Sequence, residues 1–166
     1  MDFIAPEDLK ARAASARSSQ KKLLDKLKKS KPAGLDEEFN RLHEEAFSHI
    51  NCLDCGNCCK TTGPLFTTRD IERLAALFKI KPAAFIEKYL HVDEDNDYVL
   101  NVLPCPFLGL GNFCTVYDDR PNACRQYPHT NQRKMHLIFK ETLNNAAICP
   151  AVFNILERMK QLAESS

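Results

Sequence analysis

Cys52, Cys55, Cys58 and Cys59 fall within eight residues, and four more cysteines, Cys105, Cys114, Cys124 and Cys149, are spread over the rest of the chain. Thiolates bind soft and borderline ions far better than carboxylates do, and a C-x-x-C step lets one tight turn set two sulfurs about a tetrahedral centre. The spacing reads as a metal site. Adjacent side chains on an extended or turning backbone diverge, so one ion is not expected to take both Cys58 and Cys59. The doublet predicts two metal centres sharing this segment, or one larger multi-iron cluster.

Disulfides are the rival use of eight cysteines. Met1 to Pro6 is short and acidic with no apolar stretch after it, which is not the form of an export signal, so we expect a reducing, cytoplasmic setting. No apolar run approaches the ~18 residues a membrane span needs. At 166 residues the chain can bury a core without covalent staples. Its net charge of +1 hides an asymmetry: nine Lys or Arg stand against Asp25 alone between Lys10 and Lys31, and five acids stand against Arg41 between Asp36 and Glu45. A basic run can track nucleic acid, but this one has no interleaved aromatics to stack on bases, so nucleic acid is disfavoured as a partner. A protein partner stays open.

The elements that must position the cysteines are mostly helical. Leu9, Ala13, Ala16, Leu23, Leu24 and Leu27 make a helical stripe that breaks at Ser30 to Gly34. Leu35, Phe39, Leu42, Ala46 and Ile50 make a second, behind an acidic first turn that suits the helix dipole. The two are expected to pair as an antiparallel hairpin. Thr67 caps a third helix carrying Ile71, Leu74, Ala75 and Phe78, and Pro82 opens a fourth carrying Phe85, Ile86, Tyr89 and Leu90. The acidic loop Asp93 to Asp97 lacks the glycine and terminal glutamate of an EF-hand and reads as a solvated turn. Tyr98 to Leu103 and Lys134 to Lys140 are candidate strands, and Pro150 leads a closing helix with Val152, Ile155, Leu156 and Met159 inward.

From Pro104 to Thr130, proline, glycine and cysteine are so frequent that only a loop with brief turns is credible, and a metal would be its staple. The expected fold is mainly α, with an irregular cysteine-rich metal-stapled core and few short strands. Residues 1–34 form a basic N-terminal helix and 35–166 a cysteine-cluster metal-binding domain.

The metal is iron or zinc. Eight cysteines supply two closed zinc sets. C-x-x-C-x-x-C with a remote Cys149-Pro150 fits ferredoxin-type ligation in part, although Thr62 stands where that pattern, and the C-x3-C-x2-C pattern, need a cysteine. The reading leans to iron, as an iron–sulfur cluster, with zinc as the alternative. A thiolate centre of charge about −2 calls for nearby cations. Arg120 and Arg125, beside Cys124, are assigned that role at the cofactor, with Lys60 and Arg69 also near cysteines in sequence. Tyr117 and Tyr127 would wall the site, whereas His49 and His129 are superfluous beside eight thiols.

Cys52-Leu-Asp-Cys55-Gly-Asn-Cys58-Cys59-Lys60, then Cys105-Pro-Phe-Leu, Cys114-Thr-Val-Tyr-Asp-Asp-Arg120-Pro121 and Cys124-Arg125-Gln-Tyr127-Pro128 follow one another in a fixed order. This succession resembles the YkgJ-type CxxCxxCC cysteine-cluster family, to which zinc or iron chelation is ascribed, from about Cys52 to Cys149. The resemblance implies metal or cluster chelation by these cysteines. The family also includes a flagellin lysine methylase, so an enzyme that uses the cluster in protein modification is the alternative to a metal-binding protein. No dinucleotide loop, P-loop or zinc-hydrolase motif supports an enzyme, and a thioredoxin-like dithiol would need a βαβ setting that is missing here.

Overall fold

Helical periodicity and local capping set most of the architecture. In the computed structural model, which describes residues 3–165, the elements in chain order are α1 (Leu9–Ser30), α2 (Leu35–Phe47), α3 (Cys52–Cys55), α4 (Asn57–Thr61), α5 (Thr68–Leu77), α6 (Pro82–Tyr89), β1 (Leu90–Val92), β2 (Tyr98–Leu100), α7 (Asn122–Gln126), α8 (Phe139–Asn145) and α9 (Pro150–Ser165). The fold is mainly α, as the periodicity predicts, and β1 with β2 is its only sheet among the described residues. No helix there is long and apolar enough to cross a membrane. The chain divides into two compact units, one made of the residues up to Asn51 with those from Pro128 onward, the other of Cys52–Tyr127.

In the first unit, α1 buries Leu9, Ala13, Leu23, Leu24 and Leu27 and stops where Lys31 turns left-handed and donates its N–H to the Leu27 carbonyl. Gln20 interrupts this apolar stripe yet is buried, because its amide donates to Glu157 at 2.9 Å. α2 buries Leu35, Phe39, Leu42 and Ala46. Burial of one such large side chain contributes about 1.5–3 kcal/mol. The expected α1–α2 hairpin is corrected: both helices pack on α9. Every residue of α9 from Pro150 to Leu156 is buried, so this helix needs apolar neighbours on more than one side, and α1, α2 and α8 supply them.

The strand expected at Lys134 to Lys140 is also corrected. A 3-10 turn spans Met135–Leu137 and α8 follows it. Met135, Phe139 and Leu143 all reach the core while Leu137, midway between the first two, is 64 % exposed, a pattern that fits a helix and not a strand, in which Leu137 would share their face. The carboxylate of Asp36 in the first turn of α2 accepts the N–H groups of Lys134 at 2.6 Å and Met135 at 2.9 Å. That long-range cap turns the backbone at Lys134, whose φ is +59°.

In the second unit, Thr67 and Asp70 form a capping box at the start of α5, and Pro82 occupies the first turn of α6. β1 and β2 pair antiparallel with Leu90 opposite Leu100 and Val92 opposite Tyr98. The acidic loop between them is a turn, in which one Asp93 oxygen accepts the N–H groups of Asp95 and Asp97. Phe85 packs against Phe66, Phe78, Tyr89 and Phe107, and Leu74, Leu90, Leu100 and Val116 complete this core. The stretch after Pro104 is irregular, with brief 3-10 turns and the short α7.

Candidate metal centre

Two one-turn helices carry the proximal cysteines, and their joint is Gly56. α3 presents Cys52 and Cys55, α4 presents Cys58 and Cys59, and Gly56 between them takes φ +58°. The Gly56 N–H donates to the Cys52 carbonyl at 3.0 Å, and the Lys60 N–H donates to the Gly56 carbonyl at 3.2 Å. Two distal contacts lock this joint. Asn112 donates its side-chain amide to the Asp54 carbonyl at 2.8 Å, and the N–H of Cys105 donates to the Cys59 carbonyl at 2.7 Å. Cys114 lies in a short bridge with Leu108, closed by Gly109 N–H to the Phe113 carbonyl at 2.7 Å. Cys124 sits in α7.

The doublet differs from expectation. The sulfurs of Cys58 and Cys59 are 4.0 Å apart, because a helical turn rotates neighbouring side chains by about 100° and not by the half-turn of a strand. Two ligands at about 2.3 Å from one tetrahedral zinc would be separated by about 3.8 Å. Both thiols of the doublet therefore stand near the spacing that a single ion or cluster requires.

Electrostatics tie the proximal and distal thiols together. Burial pushes the Cys124 thiol up to about 12, and the neighbouring thiols of Cys59, Cys105 and Cys114 add to the effect. Burial likewise pushes Cys105 up to about 11, with Cys59 and Cys114 as like-charged neighbours. Cys114 and Cys52 are raised by burial too, and both feel Cys59. Cys59 itself is drawn down to about 7 by the hydrogen bond from Cys58, against burial and with help from the charge of Lys60. The charge of Cys59 is thus felt by Cys52, Cys105, Cys114 and Cys124 alike.

Arg120 and Arg125 have distinct tasks. The Arg120 guanidinium lies 3.9 Å over the Tyr117 ring and donates to the Tyr117 carbonyl at 2.6 Å. Its charge favours the thiolates of Cys52, Cys114 and Cys124. Arg125 instead braces the loop backbone, donating to the carbonyls of Arg120 and Asp118. Lys60 donates to the Cys55 carbonyl at 3.4 Å, and Arg69 is exposed. His49 and His129 lie in the other unit, stacked on Phe3 and bonded to Gln132 respectively.

Seven of the eight cysteines belong to the Cys52–Tyr127 unit. Cys149 belongs to the other, where it directly precedes α9, donates its N–H to the Asn145 carbonyl at 2.8 Å and packs against the core. None of the eight forms a disulfide. A family model described as "CxxCxxCC: Putative zinc- or iron-chelating domain" matches residues 51–150, a span that holds all eight. The chain belongs to the CxxCxxCC family. Neither a curated protein nor a solved structure matches it.

Among the described residues, no three Cys, His, Asp or Glu side chains stand close enough together to form a finished ion site. The chemistry of the CxxCxxCC donor set nevertheless fits a thiophilic metal. Seven thiols share one unit, two of them near ligand spacing, with a guanidinium at hand to offset thiolate charge. Residues that the cysteine pattern leaves unmarked also build the site. Asn112 and Gly56 close the proximal turn, and Asp70 with Arg73 holds the segment before Cys124. Only the Thr67-x-x-Asp70 capping box gives any of these a signal in the sequence.

Proposed function

We propose that this chain is a cytoplasmic metal-binding protein whose Cys52–Tyr127 unit holds iron as an iron–sulfur cluster on thiolates drawn from Cys52, Cys55, Cys58, Cys59, Cys105, Cys114 and Cys124. Cys149 belongs to the other unit, although it falls within the span that the family model matches. The observation that carries the reading is geometric: seven thiols belong to the Cys52–Tyr127 unit, the Cys58 and Cys59 sulfurs are 4.0 Å apart, and the Cys105 N–H is bonded to the Cys59 carbonyl at 2.7 Å. Seven thiols in one unit are more than the four that one tetrahedral ion uses, which favours a centre of more than one metal atom.

Each part of the chain has a chemical task in this reading. Thiols whose pKa is raised by partial burial stay protonated until a cation displaces the proton, so weakly held ions lose the competition with protons. Arg120 offsets the negative charge that accumulates on the sulfurs, and Arg125 keeps Arg120 in place through its carbonyl. A bound iron–sulfur cluster would supply electron transfer or a structural cross-link. A reducing cytosol keeps so dense a thiol set available for metal.

The test is anaerobic purification followed by metal and acid-labile sulfide analysis. Brown protein with iron and sulfide in comparable amounts is expected. Colourless protein with stoichiometric zinc would overturn the iron assignment, and protein with no thiolate-bound metal would overturn the metal-binding reading as a whole.

A further inference from the structure

Asp70 is a carboxylate that is 1 % exposed, and its bonds exceed what capping its own helix requires. One oxygen accepts the Thr67 N–H at 2.9 Å and the Thr67 hydroxyl at 2.6 Å, which completes the cap of α5. The other accepts Arg73 at 2.7 Å and the backbone N–H of Asn122 at 3.1 Å. Asn122 is the first residue of α7, the helix that carries Cys124, and Pro121 before it offers no side chain to cap that helix. Asp70 supplies the missing acceptor from a distant part of the chain.

Arg73 extends the same clamp. Its guanidinium donates to the Asp119 carbonyl at 3.1 Å and to the Arg120 carbonyl at 3.0 Å while it pairs with Asp70. The Arg120 carbonyl accepts a second bond from Arg125 at 3.1 Å. The backbone of Arg120 is therefore gripped from two sides, and its side chain is the cation whose charge reaches Cys52, Cys114 and Cys124. A buried carboxylate is costly unless fully partnered, and here all four donors are engaged.

We propose that Asp70, acting through Arg73, is a positioning residue for the thiolate centre: it fixes the 119–122 segment so that Cys124 and the Arg120 guanidinium face the proximal thiols. The inference rests on the metal-binding reading given above. It needs no contact between Asp70 and the metal. Outer residues that orient ligands in this way typically change metal affinity by about 10–100-fold when replaced.

The experiment compares full-length wild type with Asp70→Asn and Arg73→Lys, each purified anaerobically with its metal. Two quantities are read: transfer of metal to a competing chelator, and the thiolate-to-metal absorption of protein loaded with cobalt(II). Both variants should lose metal to the chelator at about 10-fold lower chelator concentration or less, with a shifted or weakened cobalt absorption. A residue that only stabilised the fold would lower the thermal midpoint and leave both readouts of the folded protein unchanged. Should Asp70→Asn fail to fold by circular dichroism, Arg73→Lys decides, because the Arg73 side chain is 33 % exposed and keeps its charge. Folded variants with wild-type affinity and absorption would overturn this inference alone. A wild-type chain that takes up no metal would overturn the metal-binding reading and this inference with it.

Discussion

A Cβ placed on Gly56 would stand 2.9 Å from the Cβ of Asn112, so the joint between α3 and α4 closes only because residue 56 has no side chain. Gly56 is also left-handed at φ +58°, a conformation that costs other L-residues about 1–2 kcal/mol. Gly111 separates the two effects, since its φ is +65° and nothing lies within 4 Å of its virtual Cβ. Gly111→Ala should therefore show the backbone cost alone. Gly56→Ala should show that cost plus about 1–3 kcal/mol of overpacking, and should lose metal as Asn112 is driven off the Asp54 carbonyl. Thermal midpoints and metal content of the two variants check this, and equal values for both would count against a packed joint.

The long periodic helices were legible because their signals are local. Leu35, Phe39, Leu42 and Ala46 repeat at the helical period, Thr67 begins a capping box with Asp70, and Pro82 sits where a helix tolerates proline. Long-range effects were not. Nothing near Lys134 announces that Asp36 will cap it, and without that cap Lys134 to Lys140 reads as a strand. β1 is three residues abutting α6, too short to establish an alternation. At the site, the cysteine types and spacing pointed to metal, whereas the closeness of the Cys58 and Cys59 sulfurs depended on α4 being helical. The grip of Asp70 on Asn122 belongs to tertiary structure and leaves no trace in spacing.

Removing the metal should loosen one unit and spare the other. α1, α2, α8 and α9 share a large apolar core of their own, whereas the segment from Pro104 to Tyr127 has brief turns and depends on cross-links to Cys59 and Arg73. Hydrogen exchange on reduced, chelator-treated protein is the measurement. Amides of residues 52–61 and 104–127 should exchange about tenfold faster or more, as expected when metal free energy is folding free energy. Those of α2 and α9 should stay protected. Uniform protection before and after chelation would mean that the metal is no staple.

Metal uptake should release protons and strengthen with pH. Cys105 and Cys124 are pushed up to about 11 and about 12 by burial, and Cys52 and Cys114 are raised as well. All four are protonated between pH 6 and 8 in metal-free protein, and each must lose its proton to ligate, so apparent affinity should climb about tenfold per pH unit for each such thiol engaged. Calorimetric titration of reduced protein with zinc(II), in buffers of different ionisation heat, counts the protons. Uptake without proton release would show that these thiols are not ligands.

Acid should weaken the clamp at Asp70. Burial alone would raise its pKa, but the hydrogen bonds from Thr67, Arg73 and Asn122 outweigh it and hold the carboxyl below its ordinary value of 3.8. A depressed carboxyl contributes stability above its unfolded pKa and loses that contribution as pH falls through its lower folded value. Wild type should therefore lose thermal stability below about pH 4, with Asp70→Asn starting lower at neutral pH and falling less steeply there. Parallel midpoint-against-pH curves for the two proteins would rule Asp70 out as a source of the acid sensitivity.

Replacing Cys124 tests whether the thiols act as one centre. Cys124 lies in α7, far along the chain from the Cys52 to Cys59 segment, yet its thiol feels the charge of Cys59 as those of Cys105 and Cys114 do, and the Cys105 N–H is bonded to the Cys59 carbonyl. In an interleaved centre, Cys124→Ser removes a ligand and also disturbs metal held by the proximal cysteines. Cys58→Ser and Cys59→Ser should lower metal content by unequal amounts, with Cys59→Ser the more damaging because the thiols of Cys105, Cys114 and Cys124 all feel the Cys59 charge. Two independent sites would behave otherwise: Cys124→Ser would empty one and leave the other filled. Metal counting, combined with protection of Cys52 and Cys55 from alkylation, distinguishes the two cases. Full protection of the proximal thiols in Cys124→Ser would refute the shared centre, and their exposure to alkylation is the outcome expected here.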